Sequence, residues 1–133
     1  MSNTDIVRQY YQYFNEQNWA GMLSLVDENI QHYPNQGELR EGKAKFAEFL
    51  RIMDAHYSET CVDLMLFQGE ASERVAAEFF IDGTYKKAQE GLPPAQGQTY
   101  HLRVGAFLEV RNGKITRLNN YYNLEDWIAM VSR

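Results

Sequence analysis

Residues 46–85 read FAEFLRIMDAHYSETCVDLMLFQGEASERVAAEFFIDGTY, and the period of the apolar residues changes within that run. Phe46, Phe49, Leu50, Met53 and Tyr57 fall at i, i+3, i+4, i+7 and i+11, the spacing of one helix face. Burying the first four contributes roughly 1.5–3 kcal/mol each before ordering entropy is subtracted. Beyond Tyr57 the repeat shortens to two, which predicts strands over Thr60–Gln68 and Arg74–Tyr85 around a polar turn at 69–73. In the second strand Val75, Ala77, Phe79 and Ile81 alternate with Ala76, Glu78, Phe80 and Asp82, and Gly83 suggests a bulge.

The flanking sequence extends this pattern in both directions. Downstream, GLPPAQGQ at 91–98 excludes regular structure and predicts an ordered loop. A strand over Thr99–Val110 follows, with Leu102, Val104, Ala106 and Leu108 on one face and His101, Arg103, Gly105 and Phe107 on the other. Asn112-Gly113 turns the chain into a strand over Lys114–Tyr122. A strict two-residue turn there sets Ala106 against Asn119. A turn with Gly113 in a bulge sets Ala106 against Leu118 and Leu102 against Tyr122, gathering Leu118, Asn120 and Tyr122 on the apolar side, and is the expected arrangement. A last short helix is expected after Asn123, striped by Leu124, Trp127, Ile128 and Val131. Upstream, Ile6, Tyr10, Tyr13 and Phe14 mark a helix over Thr4–Asn15, and Asn18 caps a second carrying Trp19, Met22, Leu23 and Val26. Ile30–Tyr33 is extended and stops at Pro34. Helices first and antiparallel strands afterwards define an α+β fold, expected as one domain over 1–133.

The 133 residues carry a net charge of -5, which argues against nucleic-acid or anionic-membrane partners, since phosphates are held by Lys and Arg. Aromatic residues make up 14%, with 9 Tyr leading, a composition that suits a pocket as well as a core. The lone Cys61 excludes an internal disulfide, and the start Met-Ser-Asn-Thr-Asp lacks the basic and apolar regions of a signal peptide. No apolar run approaches the ~18 residues a membrane span needs. A cytoplasmic location is the expectation. His32, His56 and His101 have no metal-ligand spacing, no phosphate or dinucleotide loop is present, and no metal or cofactor is expected. His32 and His101 are read as pointing outward, Glu78 likewise, while Asp63 alternates with Cys61 and is held as a reserve inward carboxylate.

Further landmarks are Tyr-Phe-Asn at 13–15 followed by Trp19, Asn-Gln-Gly at 35–37, Gly-Thr-Tyr at 83–85, Gly-Leu-Pro-Pro-Ala at 91–95, Asn-Gly-Lys-Ile at 112–115 and Tyr-Tyr-Asn-Leu at 121–124. With them the chain resembles the nuclear transport factor 2-like superfamily, nearest its SnoaL-like, ketosteroid isomerase-related members. The resemblance implies a cone-shaped, curved antiparallel sheet wrapped around a long helix, with an apolar cavity. It also implies a homodimer through the outer sheet face, where Phe80, Arg103 and Phe107 would lie. Steroid isomerases of this fold pair a carboxylate base with a tyrosine and a protonated aspartic acid. Tyr10 matches the tyrosine, but Tyr33 stands at the base position and Ala106 at the acid. Limonene epoxide hydrolases of the same fold are resembled at Tyr33-Pro34-Asn35, with Asn120 in place of their aspartate.

The expected site is therefore Tyr10, Tyr33 and Asn120 as catalytic candidates, with Phe14, Asn35, Phe79, Val104, Ala106, Leu118 and Tyr122 around a small apolar ligand bearing a carbonyl or hydroxyl. The reactions in view are isomerisation, cyclisation or hydration; the alternative is a non-catalytic binding or dimeric scaffold protein. No charged acid or base is expected in the cavity. A β,γ-unsaturated steroid ketone should consequently isomerise at the background rate when monitored by absorbance of the conjugated product, and robust turnover would overturn that expectation.

Overall fold

A computed structural model of the protein describes residues 1–35 and 37–133. The chain runs α1 (Asn3–Asn15), α2 (Trp19–Ser24), β1 (Val26–Tyr33), β2 (Arg40–Glu41), α3 (Lys43–His56), β3 (Tyr57–Gln68), β4 (Arg74–Tyr85), β5 (Thr99–Arg111), β6 (Lys114–Tyr121) and α4 (Leu124–Val131). Ser2 starts α1, accepting from the Asp5 N–H at 3.1 Å while the Asp5 carboxylate accepts from the Ser2 N–H at 3.0 Å, a reciprocal cap. Asn18 and Asn123 cap α2 and α4 through the N–H groups of Gly21 and Asp126. Val26, expected on the second helix, instead opens β1.

The six strands form one curled, unclosed sheet in the order β2-β1-β6-β5-β4-β3. All neighbours are antiparallel except β1 and β6, which are parallel. The inner face carries Val75, Ala77, Phe79 and Ile81 of β4 and Leu102, Val104, Ala106 and Leu108 of β5, all buried, as the alternation predicts. Helix α1 crosses this face and contacts β3 to β6, while α3 backs β1.

Bulges bend the sheet at three places. In β3 the extra residue falls between Val62 and Met65, where Asp63 adopts a left-handed φ of 56°. The bulge reverses the alternation, so Leu64 and Leu66 turn inward and Asp63, Met65 and Phe67 are exposed. Asp63 is thus excluded as an inward carboxylate. The bulge expected at Gly83 is absent, since β4 pairs with β5 without interruption from Arg74 to Thr84.

The last hairpin also differs from expectation. Arg111 pairs with Lys114 across a two-residue turn in which Asn112 and Gly113 both have positive φ, at 51° and 75°. The bulge lies one step further on, at Thr116, between the pairs Val110–Ile115 and Glu109–Arg117. Ala106 therefore faces Asn120 and Leu108 faces Leu118, correcting the predicted pairs Ala106–Leu118 and Leu102–Tyr122. The single extra residue at Thr116 moves the register by one from that of an uninterrupted two-residue hairpin, so Leu118 is still buried inward.

As an edge strand β3 exposes unpaired backbone groups. The Asn15 amide covers one pair of them: its Nδ2 donates to the Cys61 carbonyl at 2.9 Å and its Oδ1 accepts from the Cys61 N–H at 2.7 Å. These two bonds fasten the end of α1 to the rim of the sheet. Asn15→Ala should lower unfolding free energy by about 2 kcal/mol in urea titrations, at roughly 1 kcal/mol per bond; a change within error would show the clamp to be dispensable.

Candidate functional site

Between the helices and the inner sheet face lies a cavity of about 430 Å³. Tyr10, Phe14, Asn35, Phe79, Val104, Leu118, Asn120 and Tyr122 all line it, eight of the ten residues expected there. Tyr33 and Ala106 do not line it. Tyr33 follows His32 on β1, and successive side chains on a strand point to opposite faces. Ala106 is buried in the sheet opposite Asn120, and its methyl group does not reach the void.

The inward residue of that strand segment is His32, not Tyr33. Contrary to the outward reading, His32 is 1% exposed and lines the cavity. Its ring meets the edges of Phe46 and Phe49, at centroid distances of 5.0 and 4.6 Å. Among the described residues neither Nδ1 nor Nε2 has a hydrogen-bond partner. Burial, and secondarily the charge of Arg40 opposite it on β2, lowers its pKa to about 4. His32 is therefore a neutral imidazole at ordinary pH, with one ring nitrogen to donate and one to accept. The sequence did carry a signal: His32 is two residues from Ile30, so one face of β1 holds both.

A carboxylate also enters the cavity wall, which corrects the expectation that none would. Tyr57, Glu59 and Cys61 share the inward face of β3, and Glu59 is half-buried in the lining. The Tyr100 hydroxyl on β5 donates to Glu59 Oε2 at 2.6 Å, reaching across the intervening strand. Gly83 makes that reach possible. A Cβ there would sit 2.3 Å from the Tyr100 ring carbons, so any side chain would displace the ring. This close approach, and not a bulge, explains the glycine. Burial raises the Glu59 pKa, and the bond from Tyr100 offsets part of that rise.

Apart from Asp54 and Glu90, which also line the cavity, the rest of the polar lining is neutral. Asn35 Oδ1 accepts from the Tyr122 N–H at 2.9 Å, while its Nδ2 is buried without a partner among the described residues. Tyr11, unremarked in the sequence, is buried against Phe79 with its hydroxyl unpaired among the described residues. Burial pushes the Tyr10, Tyr57 and Tyr122 hydroxyls upward in pKa, keeping them protonated donors, and pushes the Cys61 thiol up to about 12, which removes it as a nucleophile. The 86–98 loop is tied down over one end of the cavity. The Tyr57 hydroxyl donates to Gln89 Oε1 at 2.6 Å, the Tyr85 hydroxyl to the Pro93 carbonyl at 2.7 Å, and Gln98 Nε2 to the Val131 carbonyl of α4 at 2.9 Å. His101 lies on the outer face, stacked on Phe80 and bonded to Asp82. Among the described residues no group of three or more His, Cys, Asp or Glu is arranged to hold a metal ion, and no helix is long and apolar enough to cross a membrane.

A curled sheet closed by helices around a mainly apolar cavity is the architecture of nuclear transport factor 2-like proteins. The SnoaL-like domain family matches residues 7–118, and the chain belongs to that family. Solved structures agree. A protein of Pseudomonas putida provisionally described as a polyketide cyclase is 44% identical over 98% of both chains, with a TM-score of 0.96. One of Xanthomonas campestris, described in the same terms, is 45% identical over 97% of this chain and 96% of its own, with a TM-score of 0.93. A limonene epoxide hydrolase-like protein of M. tuberculosis, 14% identical over 98% of this chain and 90% of its own with a TM-score of 0.73, shares the fold alone. No curated protein matches the chain significantly.

The His32 environment has a measurable consequence. Its folded pKa of about 4 lies below the ordinary histidine value of 6.5, so the stability tied to the neutral ring is fully present above pH 6.5 and is lost as pH falls toward 4. The loss amounts to about 3 kcal/mol when complete. His32→Phe should flatten the stability profile across that window in urea titrations at successive pH values; an unchanged slope would place the proton uptake elsewhere.

Proposed function

We propose that the protein is an enzyme that moves a proton on a small, mostly apolar carbonyl compound held in the cavity, in an isomerisation or cyclisation. The observation that carries this reading is His32: a neutral imidazole, unpartnered among the described residues, in the wall of a cavity lined mainly by aromatic and aliphatic side chains. A neutral ring nitrogen can accept a proton from the carbon next to a carbonyl, the step shared by enolisation and by ring closure through an enolate. Asn35, Asn120, Tyr10 and Tyr122 supply hydrogen-bonding groups that orient the bound oxygen, and the provisional cyclase descriptions of the relatives at 44% and 45% identity support the same class.

The reading extends to a cytoplasmic homodimer. The outer sheet face exposes about half of each of Met65, Phe67, Phe107 and Tyr121, an apolar set on β3, β5 and β6 that a second copy would cover. Phe80, capped by the Arg103 guanidinium 4.8 Å above its ring, adjoins them.

The chemistry is tested without knowing the natural substrate. Incubated with β-tetralone in deuterium oxide, the protein should accelerate deuterium incorporation beside the carbonyl, followed by proton NMR. His32→Phe should slow that exchange by at least about 100-fold, the low end of general-base contributions. Saturable binding without exchange would replace the enzyme by the alternative of a non-catalytic binding protein.

A further inference from the structure

The cavity holds a second ionisable group that nothing above uses. Glu59 sits on β3 and His32 on β1, separated in the sheet by β6, β5 and β4. Measured across the sheet that is four interstrand spacings, about 19 Å. The curl of the sheet brings both into the lining of one void, on different walls. Glu59 Oε2 is occupied by the Tyr100 hydroxyl at 2.6 Å, while Oε1 has no partner among the described residues. The other titratable groups on this side are Tyr57, Tyr100 and Tyr122, with Asp54 and Glu90 further along the lining.

We propose that Glu59, presented by Tyr100 across the gap left by Gly83, is a catalytic acid that donates through Oε1 to the carbonyl oxygen of the bound compound. The proposal rests on the proton-transfer reading of the cavity and adds its second group. In the forward step a ring nitrogen of His32 takes the α-hydrogen as a proton, and the C–H electron pair becomes the carbon–carbon double bond of an enol. The carbonyl π pair moves to oxygen, which takes the proton from Glu59, leaving a carboxylate and an imidazolium. Return of the His32 proton to the same or a conjugated carbon, and of the oxygen's proton to Glu59, regenerates both residues. Tyr100 and Gly83 do not touch the reacting atoms and act as positioning residues. The substrate class narrows to compounds whose carbonyl reaches the β3 wall while the acidic C–H lies toward β1.

Infrared difference spectra of bound β-tetralone test the contact apart from turnover. In the wild type the carbonyl stretch should lie at low frequency while Glu59 is protonated and rise as Glu59 ionises with increasing pH. Glu59→Gln should abolish that pH dependence. Because the Tyr100 bond lowers the Glu59 pKa, Tyr100→Phe should move the midpoint to higher pH, and Gly83→Ala should do the same if it folds. A midpoint unaffected by Tyr100→Phe, or a pH response surviving in Glu59→Gln, overturns the assignment. Infrared response without deuterium exchange would leave Glu59 in contact and remove the proton-transfer reading; exchange that depends on His32 but not Glu59 would do the reverse.

Discussion

The bulges in β1, β3 and β6 bend strands that would otherwise lie flat beneath α1 and α3. A flat sheet packed on two helices closes its interface with interdigitated side chains and leaves no space larger than a water molecule. Here the curvature lifts the rims while α1 spans the concave face, and the space between them is too wide for the side chains to fill. The cavity is in that sense a product of backbone geometry. Asn15 holds α1 against one rim at Cys61, while the 86–98 loop and α4 are tied to each other at one end of the void by Gln98 and Val131.

The same apolar surroundings act on two ionisable groups in opposite directions. Removing water disfavours charge, so the imidazole of His32 is driven below its usual pKa and the carboxyl of Glu59 above it. Both shifts favour the uncharged form, so one pocket disfavours the imidazolium of His32 and the carboxylate of Glu59 alike. For Glu59 the sign of linkage is reversed relative to His32: stability tied to its neutral form is present at low pH and lost as pH rises through its raised pKa. Arg40 reinforces the effect on His32, whereas Tyr100 opposes it on Glu59.

Much of this architecture was legible because the period of the apolar residues is clean. Arg74–Tyr85 coincides with β4, and the inner faces of β4 and β5 follow the two-residue alternation. What could not be read were interruptions of one residue. Neither Asp63 nor Thr116 advertises a bulge by type, and each shifts which atoms meet without altering composition. Gly83 was read as a bulge because a glycine within a strand has two explanations, and only the third dimension shows Tyr100 lying over it. The site suffered in the same way. Eight of the ten residues expected from face and resemblance line the cavity, but Tyr33 rests on its likeness to an isomerase position, and it is its neighbour His32 that faces inward. Glu59 was passed over because its partner is two strands away in the sheet.

A purely structural role for His32 is difficult to reconcile with its surroundings. A buried polar group that makes no hydrogen bond costs about 1–3 kcal/mol relative to a satisfied one, and a phenylalanine or leucine would pack against Phe46 and Phe49 without that cost. The Glu59–Tyr100 pair presents the same logic in a milder form. Two strands must hold their side chains across a glycine to make one bond, and the glycine itself gives up the packing that an alanine would provide. Groups that lower stability persist where the surrounding structure over-determines them and a bound molecule completes their hydrogen bonds. Among the described residues the unpaired atoms of this cavity include the two nitrogens of His32, the Asn35 amide nitrogen, the Tyr11 hydroxyl and Glu59 Oε1, and a carbonyl compound can satisfy a donor at one wall while offering its acidic hydrogen to an acceptor at another.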